Sequence, residues 1–126
     1  MSDLDHARHM FSLARDDLRA MENMLDPEKF TAPIFGFHAQ QSVEKTLKAW
    51  LSLLGIQYPL THDIHLLLKE LEVLKSQDIH GFAVLADLTD YAVAFRYNAD
   101  EQQIEIDRLF WLEKVKELVR HVEGLF

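Results

Sequence analysis

The apolar residues of the first segment recur at alternating intervals of three and four, and this spacing most constrains the fold. Residues spaced in this way lie along one stripe of an α-helix; here they are Leu4, Ala7, Phe11, Ala14, Leu18, Met21 and Leu25. Asp26 and Pro27 follow, and proline ends a helix because it has no N–H to donate. No segment shows the alternating pattern of a strand. The sequence therefore predicts an all-α protein.

The same periodicity predicts five helices separated by short breaks. Their expected spans are about Leu4 to Leu25, Pro33 to Leu54, Asp63 to Leu74, Phe82 to Tyr97 and Gln103 to Glu123. The four glycines and three prolines fall where helices are expected to stop, as Gly55 does after the second helix. Short connections favour antiparallel neighbours. We therefore expect a single domain, residues 1–126, folded as an up-and-down antiparallel bundle of four long helices and one shorter helix.

Composition and charge narrow the classes of function. The chain has no cysteine, which excludes a disulfide scaffold, a thiolate metal site and a cysteine nucleophile. Its start is polar and no apolar run approaches the ~20 residues of a membrane span, so a cytoplasmic protein is expected. The net charge of -8 argues against a broad nucleic-acid-binding surface, which needs phosphate-neutralising cations. It favours cationic partners or a protein with a basic face.

Topology predicts a group of polar residues at one end of the bundle. If neighbouring helices alternate in direction, the second helix ends, the third begins and the fourth ends at the same place. The residues brought together in this way are Lys48, His62, Asp63, Arg96 and Tyr97. Arg96 with Tyr97 could hold a phosphate or carboxylate, with His62 as a base or ligand. Alternatively, Arg96 only neutralises the negative end of the fourth helix.

The second helix carries two polar residues close to its apolar face, Gln40 and Glu44. Buried polar groups need hydrogen-bonding partners, and the fourth helix offers Tyr91 and Asp90. The preferred interpretation is a buried polar network of Gln40, Glu44 and Tyr91 that fixes helix register. The opposite face is predicted to be solvated, or to form a partner surface; it holds His38, Gln41, Lys45 and Lys48.

No metal or cofactor is expected. His6 with His9 and His62 with His65 have i,i+3 spacing, which can bring two imidazoles to one face of a helix. A metal site needs at least one further ligand, and no Glu-x-x-His motif of the di-iron bundles occurs. Glycine-rich phosphate loops and the Gly-x-Ser-x-Gly motif are also absent from the sequence.

Three segments in order resemble the HEPN family of small helical domains. They are HAQQSVEKTLKA from His38 to Ala49, LTHDIHLLLKEL from Leu60 to Leu71, and LTDYAVAFRYNAD from Leu88 to Asp100. The resemblance implies an all-α bundle that is usually dimeric. It also implies a minimal nucleotidyltransferase as partner, in a two-component system that is often toxin–antitoxin-like.

One branch of this family consists of metal-independent ribonucleases. Their motif is an arginine followed by four to six residues and a histidine at the end of the fourth helix. Arg96 matches the arginine, but the three permitted histidine positions hold Glu101, Gln102 and Gln103. The sequence looks more like the branch ending in an Arg-Tyr pair, which is usually regarded as nucleotide-binding or partner-binding. Asn98 stands where that branch often has proline.

These observations predict a non-catalytic HEPN module that forms a homodimer and binds a nucleotidyltransferase partner. A nucleotide or other anion would lie near Arg96, with Arg96, Tyr97, His62 and Lys48 as the ligand-binding residues. The alternative is a degenerate ribonuclease, an enzyme that uses Arg96 to hold the phosphate and His62 as the base.

Overall fold

The computed structural model describes residues 3–96 and 105–126, and the side chains of residues 93–96 lie outside the description. It contains five helices: α1 (Asp3–Asn23), α2 (Ala32–Leu53), α3 (Ile64–Lys75), α4 (His80–Arg96) and α5 (Arg108–Glu123). The helix α4 is wound as a 3-10 helix. No strand occurs in these two ranges. The predicted all-α bundle of four long helices and one shorter helix is therefore confirmed. None of the described helices is long and apolar enough to cross a membrane.

The end of α2 follows the predicted signal, and a side chain caps the start of α3. Gly55 adopts a φ of 77° after α2, which allows its N–H to donate to the carbonyl of Ser52 and that of Ile56 to donate to Leu51, both at 3.0 Å. At the start of α3, the carboxylate of Asp63 accepts from the N–H of Leu66. These caps satisfy backbone groups that have no partner inside the helices.

The helix α2 lies at the centre of the bundle and contacts all four other helices. Its largest fully buried side chains are those of Phe35, Leu47, Trp50 and Leu51. They pack in one core with residues from every other helix. The predicted solvated face of α2 is wrong. Asp17 of α1 binds His38 and Lys45, and the ring of Tyr58 lies over Lys48. Lys48 is therefore buried, and the other three residues, His38, Gln41 and Lys45, are half-buried.

Ring and backbone contacts fix the helix directions. The ring of Phe82, near the start of α4, lies 6.2 Å from that of Trp50, near the end of α2. The ring of Tyr91, near the end of α4, lies against Gly36, near the start of α2. Thus α4 is antiparallel to α2. The hydroxyl of Ser42 donates to the carbonyl of Ala14 at the middle of both α1 and α2.

The connection between α2 and α3 runs back along α2. The carbonyl of His62 accepts from the amide of Gln40 at 3.1 Å, so α3 begins beside the middle of α2. The N–H of Ile64 then donates to the hydroxyl of Thr89 in α4. The prediction that α4 ends at the same end of the bundle as α2 is therefore wrong. The prediction assumed that the connection between α2 and α3 is a tight turn. Its ten residues are long enough to run back along α2, which reverses the expected directions of α3 and α4.

Candidate functional site

A buried carboxylate, that of Glu44, lies at the centre of the most connected polar cluster. Its Oε1 accepts from Nδ1 of His62 at 2.7 Å and from the amide of Gln40 at 2.9 Å. Its Oε2 accepts from the ammonium of Lys48 at 3.0 Å. The side chains of Glu44 and Lys48 are only 6% and 10% exposed, whereas that of His62 is 67% exposed. The cluster thus joins a buried ion pair to an imidazole at the surface.

The pKa of Glu44 is lowered, although burial by itself would raise it. Hydrogen bonds from Gln40, His62 and Lys48, together with the charge of Lys48, outweigh the cost of removing the carboxylate from water. Glu44 is therefore an anion at neutral pH. An ionised carboxylate accepts hydrogen bonds only, so Nδ1 of His62 is the donor and its tautomer is fixed.

The predicted burial of Gln40 and Glu44 is correct. Besides Glu44, the amide nitrogen of Gln40 reaches the carbonyl of His62, and its oxygen accepts from Gln41 at 2.7 Å. The ring of Tyr91 lies one helical turn away, against Gly36. The membership of Tyr91 in the network of Gln40 and Glu44 stays a prediction. The amide of Gln40 and the carboxylate of Glu44 thus hold the segment before α3 against α2. Helical periodicity alone could not predict this contact.

Two residues that the sequence did not indicate extend the cluster. The hydroxyl of Tyr58 lies 2.6 Å from Nε2 of His6, and the two rings stack with centroids 5.6 Å apart. The ammonium of Lys48 lies 5.3 Å from the centroid of the Tyr58 ring. Burial and the nearby charge of Glu44 both raise the pKa of Tyr58. Tyr58 belongs to the connection before α3, so no helical spacing could reveal these contacts.

A second carboxylate, that of Asp17, binds a similar pair of residues between α1 and α2. Its two oxygens accept from Nδ1 of His38 at 2.9 Å and from the ammonium of Lys45 at 2.7 Å. The sequence analysis missed this cluster. A signal was present, because Asp17 follows Ala14 by three positions and precedes Met21 by four, which places it on the apolar stripe of α1.

The residues predicted around Arg96 are only partly described. The backbone of Arg96 ends α4, and its side chain lies outside the described part, as does all of Tyr97. Asn98 and residues 101–103 lie outside it too. Because α4 is antiparallel to α2, its backbone leads toward the start of α2 and away from Lys48. The structure brings Lys48 and His62 together through Glu44, but it does not place the end of α4 beside them.

The chemistry available to the Glu44 cluster is that of an oriented imidazole. The carboxylate on Nδ1 orients the imidazole of His62, and such an arrangement is used by general bases. The ammonium of Lys48 is neutralised by Glu44, so it has little capacity left for an external anion. Within residues 3–96 and 105–126, no group of three potential metal ligands is found.

The fold and the cluster together define a small helical-bundle protein whose central helix carries a buried polar network. The family model of the HEPN domain matches residues 7–125 of this chain. The protein therefore belongs to the HEPN domain family. A comparison with curated proteins gives no significant match, and neither does a comparison with solved structures.

Proposed function

We propose that this protein is a non-catalytic HEPN module that acts by assembly. It forms a homodimer and binds a minimal nucleotidyltransferase, as one half of a two-component, toxin–antitoxin-like system in the cytoplasm. A nucleotide or other anion near Arg96, with Tyr97, is the proposed ligand. Lys48 and His62, which Glu44 holds apart from the end of α4, are not part of the proposed site.

The direction of α4 is the observation that carries the non-catalytic part of this proposal. Thr89 contacts the N–H of Ile64, close to His62, and Arg96 lies seven residues further along. Seven residues of helix correspond to about 10–14 Å, so Arg96 and His62 are not expected to form a catalytic pair within one chain. The absence of a histidine at positions 101–103 points the same way.

The surface offers features that favour a protein partner. Several large apolar side chains are well exposed, and they come from the connection before α3, from the end of α3 and from the start of α5; they are Leu60, Val73, Leu74 and Leu109. The net charge of -8 complements a partner with a basic face. Exposed apolar side chains contribute to the affinity of a protein–protein interface, and complementary charge increases the rate of association.

Assembly is tested with the purified chain and with a minimal nucleotidyltransferase encoded beside it. Light scattering after size-exclusion chromatography should give the mass of a dimer, and the two proteins should co-elute. An Asp or Lys at Leu109 and, separately, at Val73 would locate the contact. A monomer at every concentration that also fails to co-elute with the nucleotidyltransferase would contradict the proposal.

The alternative, a degenerate ribonuclease, draws support from the Glu44–His62 hydrogen bond, since it would orient a base. Unstructured RNA incubated with the wild type and with His62→Ala should show equal background cleavage. His38→Ala is a matched control, because His38 also donates Nδ1 to a carboxylate. Cleavage by the wild type and His38→Ala, but not by His62→Ala, would establish the alternative instead.

The ligand is tested separately by calorimetry with ATP, GTP and short RNAs. Arg96→Ala should abolish any nucleotide binding, whereas Arg120→Ala, an exposed arginine on α5, should leave it intact. If no nucleotide binds and Arg96→Ala changes neither stability nor partner binding, the proposed site near Arg96 is wrong, while assembly can still stand.

A further inference from the structure

A cavity of about 510 Å³ lies between α1 and the C-terminal end of α5. One wall carries Arg8, Arg15 and Arg19, whose spacing of seven and four puts them on one face of α1. The cavity is also lined by Phe11 and Phe126, whose ring centroids lie 5.1 Å apart. The volume is in the range of small-molecule sites. Phe11 and Phe126 supply the apolar part of the lining, and the other lining residues are polar or charged.

The charge of this cavity differs from that of the protein as a whole. The chain has a net charge of -8, yet three of its six arginines line this one cavity, against two carboxylates, those of Asp16 and Glu123. Arg15 pairs with Glu123 at 3.3 Å, and Arg19 pairs with Asp16, but all four side chains are more than half exposed. Exposed ion pairs are weak, so these partners can be exchanged for a ligand.

Arg8 differs from the other two arginines. It is exposed and forms no hydrogen bond or ion pair with any residue in the described part of the chain. Its guanidinium is therefore available without breaking an existing contact. Arg15 and Arg19 lie one turn apart, where like charges repel, and an anion bound beside Arg15 would reduce that repulsion.

We propose that this cavity binds a small organic anion, a carboxylate or phosphate carried on a flat apolar body. The planar guanidinium of an arginine matches such groups with two parallel hydrogen bonds. The rings of Phe11 and Phe126 provide an apolar surface against which a flat body packs. The anionic head lies at Arg8 and Arg15, and the body lies over the two phenylalanines.

Four probes separate the parts of this proposal. Calorimetry on the full chain at low salt compares phenyl phosphate, inorganic phosphate and phenol, and benzoate replaces phenyl phosphate to distinguish a carboxylate ligand from a phosphate. Phenyl phosphate or benzoate should bind at least about tenfold more tightly than inorganic phosphate or phenol. Equal binding of inorganic phosphate, or no binding of either aromatic anion, would overturn the proposal.

A charge-matched pair of variants tests the position. Arg8→Gln should weaken binding of the aromatic anion about tenfold and leave the circular dichroism unchanged, since Arg8 has no described partner to lose. Arg120→Gln removes the same charge elsewhere on the surface and should leave binding unchanged. If both variants weaken binding equally, the effect is one of net charge and the site is refuted. Dimerisation and partner binding are measured independently of this cavity.

Discussion

The ammonium of Lys48 donates to Oε2 of Glu44 at 3.0 Å, one helical turn away on the central helix. Both side chains are at least nine-tenths buried. Removing one member of a buried ion pair is costly, because the other charge is left without a partner in a region of low dielectric. This relationship makes Glu44 the residue on which the stability of the cluster depends most.

Glu44→Gln should therefore destabilise the protein by about 3 kcal/mol. The substitution keeps the shape of the side chain but removes the charge that Lys48 needs. Urea unfolding followed by circular dichroism measures the change. Glu113→Gln is the control, since Glu113 pairs with Arg120 at 3.7 Å on the surface and should cost less than about 0.5 kcal/mol. Equal losses in the two variants would show that the buried pair is not special.

The lowered pKa of Glu44 predicts a dependence of stability on pH. The folded-state pKa is below the ordinary value of 4.5, so the unfolded chain takes up this proton first as the pH falls. The stabilisation is therefore fully present above the unfolded-state pKa and is lost as the pH falls through the folded-state pKa. The difference in free energy of unfolding between wild type and Glu44→Gln should therefore shrink as the pH falls below 4.5.

Comparing wild type with Glu44→Gln cancels the contribution of other acidic residues to the pH dependence of stability. The pKa of Glu105 is also lowered, chiefly by a hydrogen bond from Arg108, and it acts in the same direction in both proteins. A difference that stays constant over the pH range would contradict the role given to Glu44.

Gly36→Ala should destabilise the protein by about 2–3 kcal/mol. A Cβ at this position would lie 2.2 Å from Cδ1 of Tyr91, and the neighbouring ring atoms are nearly as close, so α2 and α4 would have to move apart. Gly81→Ala is the matched control, because a Cβ there would have nothing within 4 Å. Thermal unfolding should show a clear loss for the first variant and none for the second. Similar melting temperatures would show that the two helices adjust freely.

Gly36 also shows where the sequence was informative and where it was not. Gly55 was correctly expected to end a helix, because the capping signal is local. Gly36 lies inside α2, as in the predicted helix from Pro33 to Leu54, although the glycines as a set were expected at helix ends. It is needed for the approach of Tyr91, 55 positions further along the sequence. Such a contact depends on packing between distant segments, which no local pattern contains.

The same distinction explains the candidate site. The helical wheel correctly placed Gln40 and Glu44 at the edge of the core, since periodicity determines which face of a helix is apolar. It also placed Lys48 in solvent, which is wrong, because the ring of Tyr58, from the connection after α2, covers that position. The meeting of Glu44 with His62 depends on the return of the connection along α2, which length alone could not predict.

Arg108→Lys should destabilise the protein by about 2 kcal/mol, although the charge is kept. The guanidinium of Arg108 is buried and donates to the carbonyls of Met24 and Phe30, both at 2.7 Å, and to the carboxylate of Glu105. It thereby ties the start of α5 to the connection between α1 and α2. All three N–H donors of a lysine ammonium are on one nitrogen, so it cannot reach the two carbonyls and the carboxylate in the same geometry.

Urea unfolding of Arg108→Lys is best compared with that of Arg120→Lys. Arg120 lies on the same helix, but its side chain is 63% exposed and makes only a long ion pair. That variant should differ from the wild type by less than about 0.5 kcal/mol. A loss confined to Arg108→Lys shows that the fork of donors, and not the charge, holds the start of α5. Equal stability of both variants would mean that water replaces the lost donors at no cost.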